Sequence, residues 1–449
     1  MFFGGVTRAS PPWAGPGWTL LGAAPNWILF GNGRGWSESV GRVCAFPFVL
    51  AIGLSVTACQ TPAPAPPPPA ILEAFVEEEF VAPPTRPERT DQPAYFRLPG
   101  TPDNVTPVRV AMLLPFTSPQ AEIRAVADAL ERAAELALFD AQNSTILLMP
   151  RDDGGSPERA AAAAAQAISE DGAEIILGPL FAQSVTAVAP VAREHGVPVI
   201  AFSSNRAVGG DGVYLLSFQL ETEVQRIVSY ATRMGHTGFA ALVPRDAYGE
   251  LVSEAFRASV TAEGARITAL ESYPPQPELV GEPVARVAAS FPDAILIAQG
   301  GVLLQAIAPA LALSGADNRT VKFLGTGLWN DPAVAREPML INGWFPAPSP
   351  EAWADFSSRF QEAYGSAPPR IASLGYDAMA LVALLADGVP YHRYTAAALT
   401  DPDGFVGVDG IFRFRSDGSA DRGLAVLQVG LDGFTVVDPA PSTFQIPGF

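Results

Sequence analysis

From Val108 onward the chain alternates short uncharged apolar runs with longer segments whose apolar residues recur every three or four positions, and it does this twice over. VRVAMLL (108–114), TILLMP (145–150), EIILG (174–178) and VPVIAF (197–202) read as strands buried on both faces. Between the first two, Ile123, Val126, Leu130, Ala134 and Ala137 share one helical face, with Arg124, Asp128, Glu131 and Glu135 on the other. Ser156 followed by Pro157 marks the start of the next helix, and a third covers 181–195. Beyond Tyr214 the pattern restarts with helix 221–234, FAALV (239–243), helix 249–263, ITALESY (267–273), helix 280–291, AILIAQ (294–299), helix 302–314 and VKFLG (321–325). Helices 351–364 and 371–387 follow. The chain is expected to close with GIFRFRSDG and GLAVLQV as an antiparallel hairpin, Phe412 and Phe414 on one face and Arg413 and Arg415 on the other. Such alternation predicts an α/β fold of two lobes, each a parallel sheet flanked by helices, with the crevice between lobes as the default site.

The residue inventory narrows the chemistry. At 449 residues with a net charge of −18, the chain does not carry the clustered basic surface that nucleic acid or anionic lipid headgroups require. Both cysteines, Cys44 and Cys59, precede residue 60, so the folded part has no thiol for a disulfide, a zinc-thiolate centre or a nucleophile. His195, His236 and His392 are far apart in sequence. There is no GxSxG elbow, Walker loop or HExxH, and GNGRG at 31–35 lacks the strand and helix of a phosphate loop. The sequence therefore reads as a non-enzyme without cofactor or metal. Asp152 and Asp153, ahead of GGSP, are read as capping the second helix.

Upstream, Val43–Ala58 is a run of sixteen uncharged residues behind Arg42, too short and too Pro/Gly-broken to span a bilayer but suited to the apolar core of a secretory signal. It ends Val56-Thr57-Ala58-Cys59, which resembles a bacterial lipobox, so Cys59 is the expected lipidation site and first mature residue. Residues 1–58 are read as the signal region, with Val40 or Val43 the expected start and 1–39 a gene-prediction artefact. Residues 59–106, with PAPAPPPP at 62–69 and EEE at 77–79, read as a lipid-anchored Pro-rich spacer. Gln60 in place of Asp after the cysteine fits sorting to the outer membrane, on the periplasmic side.

Residues 107–449 resemble the type I periplasmic binding fold of leucine/isoleucine/valine-binding proteins, through VRVAMLLPFTSP, RDDGGSPERA, ILGPLFAQSV, GVPVIAFSSN, RDAYGE, SLGYDAMALVALL and GVDGIFRF. The resemblance implies three crossings between lobes: 107–218 with about 345–395 in one lobe, 219–344 with about 396–449 in the other. The lipobox, spacer and ILGPLF/FSSN phrasing are most similar to the penicillin-binding protein activator branch (the LpoA/LppC/YraM group). That implies a non-enzymatic outer-membrane lipoprotein that stimulates a peptidoglycan synthase, with a class A penicillin-binding protein as partner. The alternative it implies is the solute-binding component of an ABC importer for amino acids of the branched-chain type or related small molecules. For ligand contact, the resemblance points to Ser203, Ser204 and Asn205 after the fourth strand, Tyr248 in RDAYGE and Ser184 at the start of the third helix. It also places an acidic residue for the ligand's ammonium just past VKFLG, where this chain has Gly327 and Leu328, with Asp331 a few residues on. Mass spectrometry of the mature N-terminus is expected to find an acylated Cys59; recovery of residues 1–39 on the mature protein would contradict the assignment.

Overall fold

The computed structural model describes residues 95–100 and 105–445; Cys59, the signal region and most of the spacer lie outside them. The first lobe runs β1 (Val108–Leu114), α1 (Ala121–Ala141), β2 (Ile146–Asp152), α2 (Pro157–Ser169), β3 (Ile175–Leu177), α3 (Ala182–Glu194), β4 (Val199–Ala201) and β5 (Val213–Leu215). Its five strands are parallel, in the order β2-β1-β3-β4-β5. The second lobe continues with α4 (Leu220–Arg233), β6 (Gly238–Pro244), α5 (Ala247–Ala262), β7 (Arg266–Tyr273), α6 (Gly281–Ala288), β8 (Ala294–Ile297), α7 (Gly301–Leu313), β9 (Lys322–Gly325), α8 (Pro332–Ala335) and β10 (Trp344–Ala347). Then come α9 (Pro350–Tyr364), α10 (Ala372–Leu385), α11 (Ala396–Leu399), β11 (Phe405–Gly407), β12 (Gly410–Phe414), β13 (Ala420–Arg422), β14 (Ala425–Gly430) and β15 (Gly433–Asp438). The second sheet has seven strands, β15-β14-β10-β9-β8-β6-β7, parallel from β10 to β7 with an antiparallel pair at one edge.

The apolar runs become central strands because both faces are covered. On the second sheet, Val284, Val287, Leu304, Ile307 and Leu311 of α6 and α7 cover one face, and Val224, Ile227, Val252 and Phe256 of α4 and α5 the other. In the first lobe, α2 and α3 supply Ala160, Ala164, Val185 and Val188. Ser156 caps α2 as its sequence suggests, accepting from the Arg159 amide, and Pro157 takes the first helical position where no donor is needed. Ordered pairing starts before residue 107: Phe96 exchanges backbone hydrogen bonds of 2.7 and 2.9 Å with Leu148, shielding part of the β2 edge.

Two expectations need correction. GIFRF (β12) does not pair with GLAVLQV (β14). β12 lies in a separate three-stranded sheet with β11 and β13, whereas β14 pairs with β10 across Trp344↔Gln428 and Phe345↔Leu427. Consequently 396–449 is not one block of the second lobe. Residues 405–422 lie against the first, where Leu215 N–H donates to Gly418 O at 2.8 Å, and only β14 and β15 join the second sheet. Phe412 and Phe414 do share a buried face, with Arg413 and Arg415 outside it.

The chain crosses between lobes at 216–219, 348–349 and 423–424. The first crossing leaves the carboxyl end of β5 and the second the carboxyl end of β10; each strand is parallel to the core of its own sheet. Both sheets therefore turn their carboxyl edges toward the crossings, which is where folds of this kind place a ligand crevice. Buried arginines bind the crossings together. Arg422 Nε donates to Ser217 O at 3.1 Å, and Arg226 Nε to Leu424 O at 2.7 Å.

In the first lobe α1 and α10 pack against each other so closely that a Cβ on Gly375 would stand 2.2 Å from Leu130 O. Gly→Ala inside a helix ordinarily stabilises by up to about 1 kcal/mol. Here the backbone approach reverses the sign, and Gly375→Ala is expected to lower stability by about 1–3 kcal/mol in urea unfolding.

Candidate functional site

The second-lobe wall is built from the carboxyl ends of four strands and the first turn of α4. Asp246, at the end of β6, caps α5 by accepting from Gly249 N–H at 2.9 Å, and this places Tyr248 in the first helical turn. The Tyr248 hydroxyl lies 2.9 Å from Thr326 Oγ1, just past β9. Tyr273, the last residue of β7, donates to Gln299 Oε1 at 2.9 Å, and Trp329 Nε1 donates to Gln299 O at 3.1 Å. These bonds fix Tyr248, Gln299 and Thr326 relative to one another. Burial raises both tyrosine hydroxyls above their ordinary range, and the nearby Glu223 charge adds to the shift at Tyr248, so both remain protonated donors at neutral pH.

Glu223 is the residue that sequence reasoning missed. In sequence it is one acid in the first turn of a helix, a position where carboxylates suit the dipole. In the fold, its Oε2 accepts from Gly327 N–H at 2.8 Å across 104 residues of chain. A Cβ on Gly327 would stand 2.7 Å from Oε1, so the carboxylate lies where a side chain at 327 would begin. The position after VKFLG that lacks an acid in sequence is thus filled by an acid from α4. Asp331 is committed elsewhere: its Oδ1 caps α8, accepting from Ala333 N–H at 2.8 Å. Part of Glu223 reaches solvent, yet the surrounding protein pushes its carboxyl up to about 7; burial is the main cause, the Gly327 bond opposes it and Glu221 adds to it.

The first-lobe wall carries the serine-rich loop. Ser203 is buried, and its Oγ accepts from Asn205 N–H at 3.2 Å. Asn205 Oδ1 accepts from Ala207 N–H at 3.0 Å, closing a single 3₁₀ turn over 206–208, and Ser204 is exposed. Ser184 lies on the inward face of α3, fully buried, its Oγ without a partner among the described residues; it does not reach the crevice surface. Asp152 and Asp153 tie loops together rather than cap α2, which Ser156 does. Asp152 accepts from the Thr117 hydroxyl at 2.6 Å and pairs with Arg159. Asp153 Oδ1 accepts from Gly155 N–H at 2.7 Å, and burial raises its carboxyl to about 6. Among the described residues no group of three His, Cys, Asp or Glu side chains could hold a metal. Two grooves elsewhere, of about 540 and 320 Å³, contain none of the crevice residues; one lies beside Ala285 and Phe291, the other beside Thr186 and Arg193.

Two α/β lobes, each with a parallel sheet flanked by helices and joined by three crossings, define the type I periplasmic-binding class of fold. The chain belongs to the periplasmic binding protein family, whose model matches residues 107–433. It is similar in structure to a Rhodospirillum rubrum protein assigned to branched-chain amino acid ABC transport (18% identity, TM-score 0.66, 74% of this chain and 100% of that one). It is also similar to an ABC transporter substrate-binding protein from Desulfitobacterium hafniense in complex with Leu (20%, 0.55, 74% and 99%). A third likeness is to a Rhodopseudomonas palustris solute-binding protein in complex with benzoate (19%, 0.51, 75% and 98%). A curated relative, an uncharacterized protein of Rickettsia prowazekii (strain Madrid E), is 25% identical over 180 residues, 40% of this chain; the match spans about half of that protein's length (47%).

Because the folded state raises the Glu223 carboxyl from its ordinary 4.5 to about 7, it holds this proton more tightly than the unfolded chain does. The group therefore contributes a loss of stability as pH rises from about 4.5 to 7. Glu223→Gln keeps an acceptor for Gly327 and removes the charge. The variant is expected to melt above the wild type at pH 8 and level with it at pH 4; an unchanged difference across that range would contradict the assignment.

Proposed function

We propose that the domain is a receptor for a small organic molecule, held in the crevice between the carboxyl edges of its two sheets and bound without chemical change. The observation that carries this reading is the convergence of Glu223, Tyr248, Gln299 and Thr326 on one edge. The accessible Ser204 and neighbouring Asn205 stand at the corresponding edge of the other lobe. Fixed polar groups at strand ends are what orient a bound solute in such folds. Family membership supports an extracytoplasmic, periplasmic location and a binding rather than catalytic role. The similar structures span an amino acid and an aromatic carboxylate as ligands, so the solute class here follows from the crevice residues rather than from the fold. On this reading Ser203 shapes the loop, Ser204, Asn205 and Tyr248 touch solute, and Ser184 serves the lobe interior. Delivery to a membrane permease of an ABC importer is the physiological role that fits.

A second reading rests on a different feature. The lipobox-like Val56–Cys59 followed by the Pro-rich stretch to 106 would anchor the domain to the outer membrane on a long leash, as an activator of a class A penicillin-binding protein needs. The two readings separate experimentally. With the full chain, a thermal-shift panel of amino acids and small carboxylates is expected to give one responding class. A hundred-fold excess over the dissociation constant stabilises by about 2.7 kcal/mol, a shift of several degrees. A flat panel, together with capture of a class A penicillin-binding protein and faster glycan polymerisation, would instead select the activator.

A further inference from the structure

We propose that residues 439–445 are a strap that latches the second lobe to the first and limits how far the carboxyl edges of the two sheets separate. The inference concerns the lobes themselves, so it stands under either functional reading. Its basis is a fourth link between them, in a part of the chain beyond the family match. The matched residues end at 433, and the chain continues through β15 and then leaves the second sheet. Ala440 still packs against the second-lobe core. Phe444, four residues on, is buried against the three-stranded sheet beside the first lobe.

The strap is rooted at the third crossing. Arg226 donates from Nε to Leu424 O in that crossing at 2.7 Å, and from Nη2 to Asp438, the last residue of β15, at 2.8 Å. Arg233 holds the same carboxylate at 2.8 Å. Pro441 then lies over Gly423, where a Cβ would stand 2.9 Å from the proline ring. Pro439 and Pro441 fix their own φ and stiffen the stretch between the anchors. At the far end the Arg413 guanidinium of β12 stands 4.5 Å from the centre of the Phe444 ring. The same ring reaches the backbone of Gly404, where a Cβ would come within 2.9 Å of it. Gln445 Nε2 donates to Asp403 beside it.

The two ends are held differently. The root has two ion pairs and the sheet itself, while the far end has one aromatic ring beside one guanidinium and an exposed amide–carboxylate hydrogen bond. An end held this way can release without unfolding either lobe. While it is seated, the four-residue span from Ala440 to Phe444 reaches at most about 14 Å, so the lobes cannot draw further apart beside the third crossing. A crossing by itself permits rotation about its backbone bonds, and lobes joined by few crossings move as bodies. A second link alongside it, with its own anchors in both lobes, resists that rotation.

Double electron–electron resonance on the full chain tests this, with Cys44 and Cys59 replaced by serine and spin labels on Gln183→Cys and Glu250→Cys. These are exposed first-turn positions of α3 and α5, one at each carboxyl edge. Phe444→Ala is expected to broaden the distance distribution and move it to longer values by several ångström, whereas Phe444→Tyr, which keeps the ring, should retain the wild-type distribution. Pro441→Gly slackens the strap and leaves the Phe444 anchor in place. It should broaden the distribution in the same direction, and it carries the test if circular dichroism shows Phe444→Ala unfolded. Gly375→Ala, which strains the first lobe away from the strap, is expected to leave the distribution as in wild type. An unchanged distribution in folded Phe444→Ala, or in Pro441→Gly where that variant stands in for it, overturns the proposal. Equal broadening by Gly375→Ala overturns it as well.

Discussion

Arg422, next to the third crossing, reaches back to the first, and the two-lobed arrangement depends on what it holds. Its Nε donates to the carbonyl of Ser217 in the first crossing, its guanidinium faces the ring of Phe218 at 5.1 Å, and Asp377 of α10 lies 3.8 Å from Nη1. Arg370 stacks over Trp353 of α9 at 4.1 Å, reaches the same Phe218 and pairs with Asp409, which also accepts from Ser373 Oγ at 2.6 Å. Burial, then the Asp409 charge, raises the Asp377 carboxyl above its ordinary range, while the two arginines and the Val408 N–H pull the other way. Removing one partner from such a set strands another charge in the interior, at a cost of about 3–5 kcal/mol. A cluster of this kind locks relative position more than it adds net stability.

With the crossings fixed, the placement of the site follows from strand direction alone. Five parallel strands on one side and five on the other leave their carboxyl ends facing the crossings, where loops are released from sheet hydrogen bonding and their side chains are free to vary. The second-lobe wall is firmly organised: phenol to threonine, phenol to amide, indole to carbonyl. The first-lobe wall is a short loop closed by its own serine and asparagine. The two edges therefore differ: one wall is preorganised and the other presents accessible hydroxyl and amide groups from a turn.

Much of this was legible in the sequence, and the failures share a cause. Strand and helix alternation, the Ser156–Pro157 start of α2 and the buried face of Phe412 and Phe414 are local patterns, and local patterns survive folding. WFPA (344–347) was not read as a strand because it is four residues long with Pro346 inside it. It is central in the second sheet only because β9 and β14 flank it, and β14 comes some eighty residues later. GIFRF and GLAVLQV look like partners because they are close in sequence and both apolar. The competition that assigned β14 to β10 instead is between distant segments, which periodicity does not register.

Glu223 was invisible for the same reason, and its case shows what reading by position leaves out. Reading forward from VKFLG, the sequence reports a missing carboxylate at Gly327. Folding supplies one from α4, and it does so because 327 is glycine: the absent side chain is the space the glutamate fills. Burial then raises its carboxyl to about 7, so the group costs stability as pH rises toward that value. Glu174 and Asp438 meet arginines, whereas Asp153, like Glu223, is held by a backbone N–H. Glu223 forms no ion pair among the described residues; its Oε2 is held by the Gly327 N–H beside phenols and an amide already fixed in place.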